Sequence, residues 1–270
     1  MGFRLSQVSD THLGARAPEC ALGWAGAVDY LNRLRPDLVV NTGDLVSLDP
    51  DDEADRRVAR ALHGRLRVPW RVVPGNHDVG DTPPAPWGGK QVTEERRQRF
   101  RATWGPDFWA LSAGDWVVAG LNSLLFGTGL DAEAEQWEWL AGLASRAGRR
   151  PLALFFHKPL CLRSLDEQEV SPLTVTPLGR RRLLSALGGA NLRLVACGHV
   201  HEHRVWSSGG VLMVWAPATS YLVEVWDGHR SGGQKLLGLV DYELCGRAVS
   251  VRLVPLAPCW GPWVRSERAS

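Results

Sequence analysis

The sequence predicts an α/β fold built around a mostly parallel sheet. In the first half of the 270-residue chain, short runs rich in leucine and valine alternate with longer segments whose apolar residues recur every three or four positions. The short runs are apolar throughout, which is typical of strands buried on both faces of a parallel sheet. The resulting β-α-β-α-β order implies right-handed crossovers between parallel strands.

The first half of the chain contains three predicted strands and two predicted helices. The strands are Phe3–Ser9, Leu38–Asn41 and Val68–Val73. Leu22–Leu34 and Ala54–Leu66 carry the helical spacing between them. A run of acidic residues precedes the second helix, and carboxylates stabilise a helix amino terminus through the helix dipole.

The middle of the chain opens with a predicted loop at Gly80–Gly89, since proline lacks a ladder donor and glycine lacks conformational restraint. Regular elements then resume, and Asp131 and Thr176 are in position to cap two of the helices. The predicted elements are a helix at Thr93–Thr103, a strand at Trp116–Leu121, a helix at Ala132–Ala147, a strand at Leu152–Phe156, a helix at Pro177–Leu187 and a strand at Leu192–Cys197.

The remainder of the chain, from Arg204 onward, is predicted to form mainly antiparallel strands. They are Val205–Ser207, Val211–Trp215, Leu222–Trp226, Lys235–Leu244 and Ala248–Leu253.

Composition limits the class of protein. Apolar residues make up 44% of the chain, and no linker-like segment divides it, so we expect a single domain over residues 1–270. A formal net charge of +2 gives little reason to expect nucleic acid or an anionic membrane as a partner. We expect neither a signal peptide nor a membrane span, because no charged segment precedes an apolar core and no apolar run approaches about 18–20 residues. The five cysteines contain no CxxC pair, which fits a reducing cytoplasm.

Polar clusters follow most of the predicted strands. Because the carboxyl ends of parallel strands lie along one edge of an open α/β sheet, clusters that are distant in sequence should converge there. The clusters are Asp10-Thr11-His12, Thr42-Gly43-Asp44, the segment from Pro74 to Asp78, His157, and Gly198-His199-Val200-His201.

The side chains in these clusters are those of a metal site. Carboxylates, imidazoles and one carboxamide suit Mn, Fe, Zn or Co, and no thiolate is among them. The candidates are too many for one tetrahedral ion and suit two divalent ions that share a carboxylate, an arrangement used in phosphoryl transfer. Gly43, Gly75 and Gly198 fit turns in which the backbone approaches an ion closely. The candidate ligands are Asp10, His12, Asp44, Asn76, His157, His199 and His201.

The motifs DTH, GD, GNHD, a lone histidine and GHVH, in this order over residues 10–201, resemble those of the calcineurin-like metallophosphoesterase family. The resemblance implies a four-layer α/β/β/α sandwich with a dinuclear metal site at the strand carboxyl ends. By the same resemblance, His77 is the catalytic histidine and Asp78 orients its ring. The implied ligands are Asp10, His12 and His201 for the first metal, Asn76, His157 and His199 for the second, and Asp44 as the bridge.

Other stretches narrow the resemblance to a subgroup. SDTHL, QWEWL and APATSY resemble the cyclic-nucleotide phosphodiesterase-like members of the family. Asn122-Ser123 stands where some members have Asp-Ser, and HKPL also varies, so hydrolysis of cyclic AMP is not implied by the metal motifs. The residues that recognise the substrate are expected in the loops Gly80–Lys90 and Leu160–Thr176.

The predicted function is metal-dependent hydrolysis of a small phosphodiester, with a 3′,5′-cyclic nucleotide as one candidate. A hydroxide bridging the metals would attack phosphorus, and His77 would give a proton to the leaving oxygen. The alternatives are a phosphomonoesterase, a nuclease and a non-catalytic metal-binding scaffold. The absence of a basic stripe counts against the nuclease, and the intact GNHD motif counts against the scaffold.

Simpler interpretations compete for several residues. Asp10 and Asp44, taken alone, could be turn or helix caps. His203 is interpreted as a solvated residue or a neighbour of the ligands, because the motif needs only two histidines. His63 and His229 have no evident partners in the sequence and are interpreted as structural.

Overall fold

The computed structural model describes residues 2–83, 85, 86, 89–223 and 232–256, together with the backbone of 264–265. The helices, in chain order, are α1 (Cys20–Leu34), α2 (Glu53–His63), α3 (Asn76–Val79), α4 (Glu94–Trp104), α5 (Asp131–Ala147) and α6 (Pro177–Ala186), with a 3-10 helix at Ser123–Leu125. The strands are β1 (Phe3–Val8), β2 (Leu38–Asn41), β3 (Trp70–Val72), β4 (Trp109–Ala113), β5 (Trp116–Gly120), β6 (Pro151–Phe155), β7 (Asn191–Cys197), β8 (Arg204–Ser208), β9 (Val211–Trp215), β10 (Leu222–Val223), β11 (Gly238–Cys245), β12 (Ala248–Pro255) and β13 (Val264–Arg265).

Two large sheets organise these strands. The first has the order β12-β11-β1-β2-β3, and the second has the order β4-β5-β6-β7-β9-β8. Within the first sheet β1, β2 and β3 are parallel. Within the second, β5, β6, β7 and β9 are parallel. The predicted α/β fold with parallel sheet at its centre is therefore confirmed.

The layer structure follows from the alternation of side chains along the strands. Val40, Phe155 and Ala196 belong to one buried cluster that contains strand residues of both sheets. Their neighbours along the chain, such as Val39 and Val195, belong to a second cluster that also contains residues of α1, α2, α5 and α6. The two sheets thus pack face to face with helices outside them, which is the four-layer arrangement that the family resemblance implies.

Two helix amino termini form as the sequence predicts, and one differs. Asp52 caps α2 by accepting a hydrogen bond from Asp55 N, and Thr176 caps α6 by accepting from Gly179 N. Asp131, predicted as a cap, is instead the first residue of α5, and Leu130 occupies the cap position. Glu133, in the first turn of α5, instead ties the preceding loop to the helix, because its carboxylate accepts hydrogen bonds from Gly127 N and Gly129 N.

The strands differ from the prediction at a few places. β4 was not predicted, and β3 begins at Trp70 rather than Val68. In the last third of the chain, β9 is antiparallel to β8, as expected, but it also pairs in parallel with β7. Residues 224–226 of the predicted strand Leu222–Trp226 lie outside the described residues, as does His229. Among the helices that the structure describes, none combines the length and the apolar character that a bilayer span requires.

Candidate metal centre

The predicted ligands are brought together at one edge of the two sheets. Asp10 and His12 follow β1, Asp44 follows β2, and Asn76 opens α3 just after β3. His157 follows β6 on the second sheet, and His199 and His201 follow β7. Asn76 is half-buried and the other six are buried. Five strand ends that are far apart in sequence thus converge on a single buried cluster.

Three residues form the first half of this cluster. Asp10, His12 and His201 each offer a ligand atom, and these atoms lie within 4.8 Å of one another. His201 Nε2 is 3.5 Å from Asp10 Oδ1 and 3.2 Å from His12 Nε2. This is the set that the family resemblance implies for the first metal.

The second half contains Asp44, His157 and His199, whose ligand atoms also lie within 4.8 Å of one another. His157 Nε2 is 3.1 Å from His199 Nδ1 and 3.0 Å from Asn76 Oδ1. Asn76 therefore joins the group, as the sequence predicts.

Asp44 lies between the two halves. Its Oδ2 is 3.3 Å from His157 Nε2 and 3.7 Å from His12 Nε2. Its Oδ1 accepts a hydrogen bond from His77 N at 2.9 Å. One carboxylate oxygen is held by the backbone while the other faces donors of both groups, which is the position that a bridging ligand requires.

The hydrogen-bond partners of three imidazole rings show which ring nitrogens face the cluster. The Nδ1 atoms of His12, His157 and His201 face the backbone carbonyls of Ser47, Thr42 and Tyr221 at 2.7–2.8 Å. A carbonyl only accepts, so each Nδ1 carries a hydrogen, and the neutral form of each ring presents an Nε2 lone pair to the cluster. The Nε2 lone pairs of His12 and His201 then face each other at 3.2 Å, an arrangement that a divalent cation stabilises. Carbonyl partners of this kind orient the imidazole ligands of metal sites.

The backbone supports the same conclusion. Asp10, His12, Asp44, His199 and His201 all have φ between 44° and 70°. Non-glycine residues rarely adopt this left-handed region, and such strain clusters at functional sites. Among the described residues the one further non-glycine example is Arg35, at the carboxyl end of α1.

Two of the predicted glycines lie so close to a candidate carboxylate that a side chain would not fit. A Cβ on Gly75 would overlap the Asp44 carboxylate, and a Cβ on Gly198 would lie 2.6 Å from Asp10 Oδ2. The absence of a side chain at these positions therefore makes room for the two candidate carboxylates themselves.

His77 lies beside the cluster, and its side chain is more exposed than those of His12, His157 and His201. Its side chain is 19% exposed, and its Nε2 is 3.9 Å from Asp44 Oδ2. The ring packs edge-on against His12, with ring centroids 4.9 Å apart. His77 Nδ1 faces the backbone carbonyl of Leu48 at 2.9 Å.

The contacts of Asp78 run to the backbone rather than to the His77 ring. Its buried carboxylate accepts hydrogen bonds from the backbone N–H groups of Gly75, Leu45 and Val46, at 2.8–3.2 Å. The His77 ring is instead oriented by the Leu48 carbonyl. Asp78 thus ties the GNHD turn to the segment after β2 and positions His77 through the backbone.

Electrostatic coupling in the cluster is strong. Burial lowers the pKa of His12 to about 3, even though Asp44 opposes the shift. Burial also lowers the pKa of His157, but the charges of Asp44 and Asp10 outweigh it and raise that pKa to about 9. Burial raises the pKa of Asp44, yet the charge of His157 holds it well below its usual range. Protons and metal ions compete for such a site, because ligands bind metals in their deprotonated forms.

Two residues outside the predicted set also border the cluster. Tyr221 accepts the His201 hydrogen bond through its carbonyl, and its hydroxyl is 3.4 Å from His12 Nε2. Ser220 Oγ donates to the carbonyl of Asp10. Both belong to the APATSY stretch, which the sequence comparison with the family singled out without assigning roles to its residues.

The other histidines that the structure describes lie away from the cluster. His203 is half-buried, and its Nδ1 faces the Trp215 carbonyl at 3.0 Å. His63 is buried, and its contacts correct the expectation that it lacks partners: its Nε2 is 2.9 Å from Asn41 Nδ2.

The sequence also matches known proteins. A family model described as calcineurin-like phosphoesterase matches residues 3–203. The human serine/threonine-protein phosphatase CPPED1 is 28% identical over 192 residues, which cover 66% of this chain and 58% of that protein. The glycerophosphodiester phosphodiesterase GpdQ of Enterobacter lignolyticus is 28% identical over 235 residues, which cover 81% of this chain and 78% of that protein. The chain thus spans less than two thirds of the CPPED1 length.

Solved structures agree with the fold. A dimetal phosphatase from Danio rerio superimposes with a TM-score of 0.65 at 12% sequence identity, covering 94% of this chain and 96% of that one. At this identity the likeness establishes the shared architecture.

Proposed function

This chain belongs to the calcineurin-like phosphoesterase family, and on that premise we propose that it hydrolyses phosphodiesters with the help of two divalent metal ions. The observation that carries the proposal is the convergence of candidate ligands from both sheets on a buried cluster, in which His12 Nε2 lies 3.2 Å from His201 Nε2 and His157 Nε2 lies 3.1 Å from His199 Nδ1. Such a cluster has no evident structural purpose without cations between the rings.

The ligand roles follow the two halves of the cluster. Asp10, His12 and His201 would hold one ion, and Asn76, His157 and His199 would hold the other. Asp44, whose Oδ2 faces both halves, would bridge them. The oxygen and nitrogen donors suit Mn, Fe, Zn or Co.

Residues of the chain complete the chemistry. When bound, two divalent ions make a water nucleophilic near neutral pH and neutralise charge on the phosphate oxygens. His77 in its protonated form would keep Nδ1–H on the Leu48 carbonyl and offer Nε2–H to the leaving oxygen. That proton transfer lets an alcohol, rather than an alkoxide, depart.

A diester is favoured by the extent of the likeness to GpdQ, since the matched region covers 78% of that phosphodiesterase but 58% of the phosphatase CPPED1. The phosphatase relatives make a phosphomonoester the second candidate. A 3′,5′-cyclic nucleotide is the specific diester that the subgroup resemblance suggests. We also propose a reducing, cytoplasmic setting, because Cys161, Cys197 and Cys245 form no disulfide among the described residues.

The test is hydrolysis by metal-stripped protein reloaded separately with Mn²⁺, Fe²⁺, Zn²⁺ or Co²⁺. We expect turnover of bis-p-nitrophenyl phosphate to exceed that of p-nitrophenyl phosphate, with cyclic AMP assayed in parallel. The reverse ratio would favour the monoesterase. A lack of metal-dependent turnover on all three substrates would instead favour the scaffold.

A further inference from the structure

A pocket of about 250 Å³ lies where the two predicted substrate loops meet. The loop after the GNHD motif contributes Thr82 and Pro83, and the loop after β6 contributes Thr174 and Val175. Phe126, next to the 3-10 helix, closes another side. The described walls are therefore largely apolar, with hydroxyl groups between the apolar side chains.

The pocket adjoins the candidate metal centre. Lys158, which lines it, is the next residue after His157, so their Cα atoms are about 3.8 Å apart. Asp81, which pairs with Lys158, lies three residues after Asp78. No candidate ligand lines the pocket itself, so the pocket neighbours the centre through Lys158, a position suited to one ester group of a substrate whose phosphate is at the centre.

A buried ion pair sets the charge of the pocket. Lys158 Nζ donates to Asp81 Oδ1 at 2.7 Å, and the two side chains are 5% and 7% exposed. Because Asp81 balances the lysine charge, the pair gives no net attraction for an anion. The ammonium has three N–H donors. Among the described residues Asp81 is its one hydrogen-bond acceptor, so donors remain for a ligand.

Two hydroxyl groups add further donors. Ser123 Oγ accepts the backbone N–H of Lys158, which leaves its own hydrogen free to donate. The buried Thr174 Oγ1 has no hydrogen-bond partner within the described part of the chain. A buried polar atom of this kind needs a partner, and both residues line the pocket.

We propose that this pocket binds the leaving-group side of the substrate and selects an uncharged group that has a compact apolar body and a carbonyl-type acceptor. The inference rests on the proposed function for its placement beside the phosphate. The apolar walls hold the body of the group, Lys158 and the hydroxyls bind the acceptor, and Asp81 removes the preference for an anion.

Equilibrium binding of three phenols to the metal-loaded full chain tests the proposal without turnover. The probes are 4-hydroxybenzamide, which is neutral with a carbonyl, 4-hydroxybenzoate, which is anionic, and 4-ethylphenol, which lacks an acceptor. Ligand-observed NMR gives the three dissociation constants. We expect 4-hydroxybenzamide to bind about tenfold more tightly than either other probe, because a site built to hydrogen-bond a group rejects analogues that lack it.

Variants of Asp81 and Lys158 test what each charge contributes to the preference of the pocket. The double variant Asp81→Asn/Lys158→Met removes both charges together, so that neither is left buried alone, and it should lose the preference for the benzamide. Asp81→Asn alone leaves Lys158 unbalanced and should make 4-hydroxybenzoate the tightest probe. Arg252→Met is the matched control, because Arg252 also pairs with an aspartate but is 66% exposed and does not line the pocket.

Three outcomes overturn the proposal: equal binding of the probes by the wild-type chain, tightest binding of the benzoate by the wild type, or an unchanged preference in the double variant. These outcomes are distinct from failure of the proposed function. If the chain binds the benzamide selectively but hydrolyses no phosphodiester, the pocket stands and the assigned reaction falls.

Discussion

His77 differs from the neighbouring histidines of the candidate centre in its exposure. Its side chain is 19% exposed, whereas the side chains of His12, His157 and His201 are 0–3% exposed. Its Nδ1 is held by a backbone carbonyl, which leaves Nε2 as the atom that can reach a substrate. His77 also offers a ligand atom that lies within 4.8 Å of those of His12 and Asp44, so the roles of proton donor and ligand are separated by experiment.

The variant His77→Gln should therefore separate substrates by their leaving groups. For a phosphodiester with an alkyl leaving group, we expect kcat/KM to fall roughly 10²–10⁴-fold, the usual contribution of a general acid. For a p-nitrophenyl ester the loss should be much smaller, because p-nitrophenolate departs without a proton. Steady-state kinetics on the two esters measures the difference.

Metal analysis supplies the control for this variant. His77→Gln should retain the same number of bound ions as the wild type, since the proposed ligands are untouched. An equal loss of kcat/KM on both esters would remove the assignment of His77 as the acid, and loss of an ion would make it a ligand.

At the residue scale, contacts between a side chain and the backbone could not be predicted from the sequence. The sequence indicated that Asp10, His12 and Asp44 would meet, because strand ends and residue types are visible in it. It did not indicate that Leu48 would orient His77, because any residue presents a carbonyl there and the side chain carries no signal. Asp78 was the predicted partner of His77, because its charged side chain is visible in the sequence and a backbone carbonyl is not.

At the scale of elements, His63 joins α2 to β2 beneath the candidate centre. Its Nδ1 faces the Ala59 carbonyl at 2.9 Å within α2, and its Nε2 accepts from Asn41 Nδ2. Asn41 Oδ1 in turn accepts from Gly43 N at 3.1 Å, next to the bridging candidate Asp44. A buried histidine thus fixes the turn that presents this carboxylate.

The titration of His63 should appear in the stability of the fold. Burial lowers its pKa from 6.5 to about 4, so between these pH values the unfolded chain binds a proton that the native state excludes. The stability that His63 contributes is complete above pH 6.5 and is lost as the pH falls towards 4. At 1.36 kcal/mol per pKa unit, this loss is about 2 kcal/mol between pH 7 and pH 5.

Urea unfolding of metal-free protein at pH 7 and pH 5 measures the effect. The wild type should lose about 2 kcal/mol more stability across this interval than His63→Gln, which cannot take up the proton. Trp104→Phe is the packing control, because Trp104 contacts the His63 ring edge-on but does not titrate, and it should lose stability as the wild type does. Equal losses in His63→Gln and wild type would contradict the pKa shift.

Elements with long apolar runs were predictable, and short mixed ones were not. β6 and β7 follow directly from their leucine, alanine and valine runs. β4 has the sequence WALSA with alternating exposure at the edge of its sheet, and alanine and serine favour strands weakly. The signal that could have found it is the Gly114-Asp115 pair, which closes a two-residue hairpin between β4 and β5.

At the scale of the whole molecule, each half of the candidate centre draws ligands from both sheets. Asp10 and His12 of the first sheet meet His201 of the second, and Asn76 of the first meets His157 of the second. The sequence indicated this convergence through the strand ends. It also indicated the two loops that line the pocket beside the centre, but not the Lys158–Asp81 pair, because these residues are 77 positions apart and neither belongs to a metal motif.

Metal removal should therefore destabilise the whole fold rather than one loop. An ion that binds only the native state stabilises it by about 2.7 kcal/mol at one hundred times its dissociation constant, and in a chain of this size 1 kcal/mol corresponds to roughly 2–4 °C in Tm. Chelation should lower Tm by about 5–10 °C for each ion lost, and reloading should restore it. The variant Asp44→Asn/His157→Ala, which removes the proposed bridge and a ligand of the second ion, should show a smaller shift. Calorimetry on stripped and reloaded protein makes the comparison, and identical melting of the two forms would mean that no ion joins the sheets.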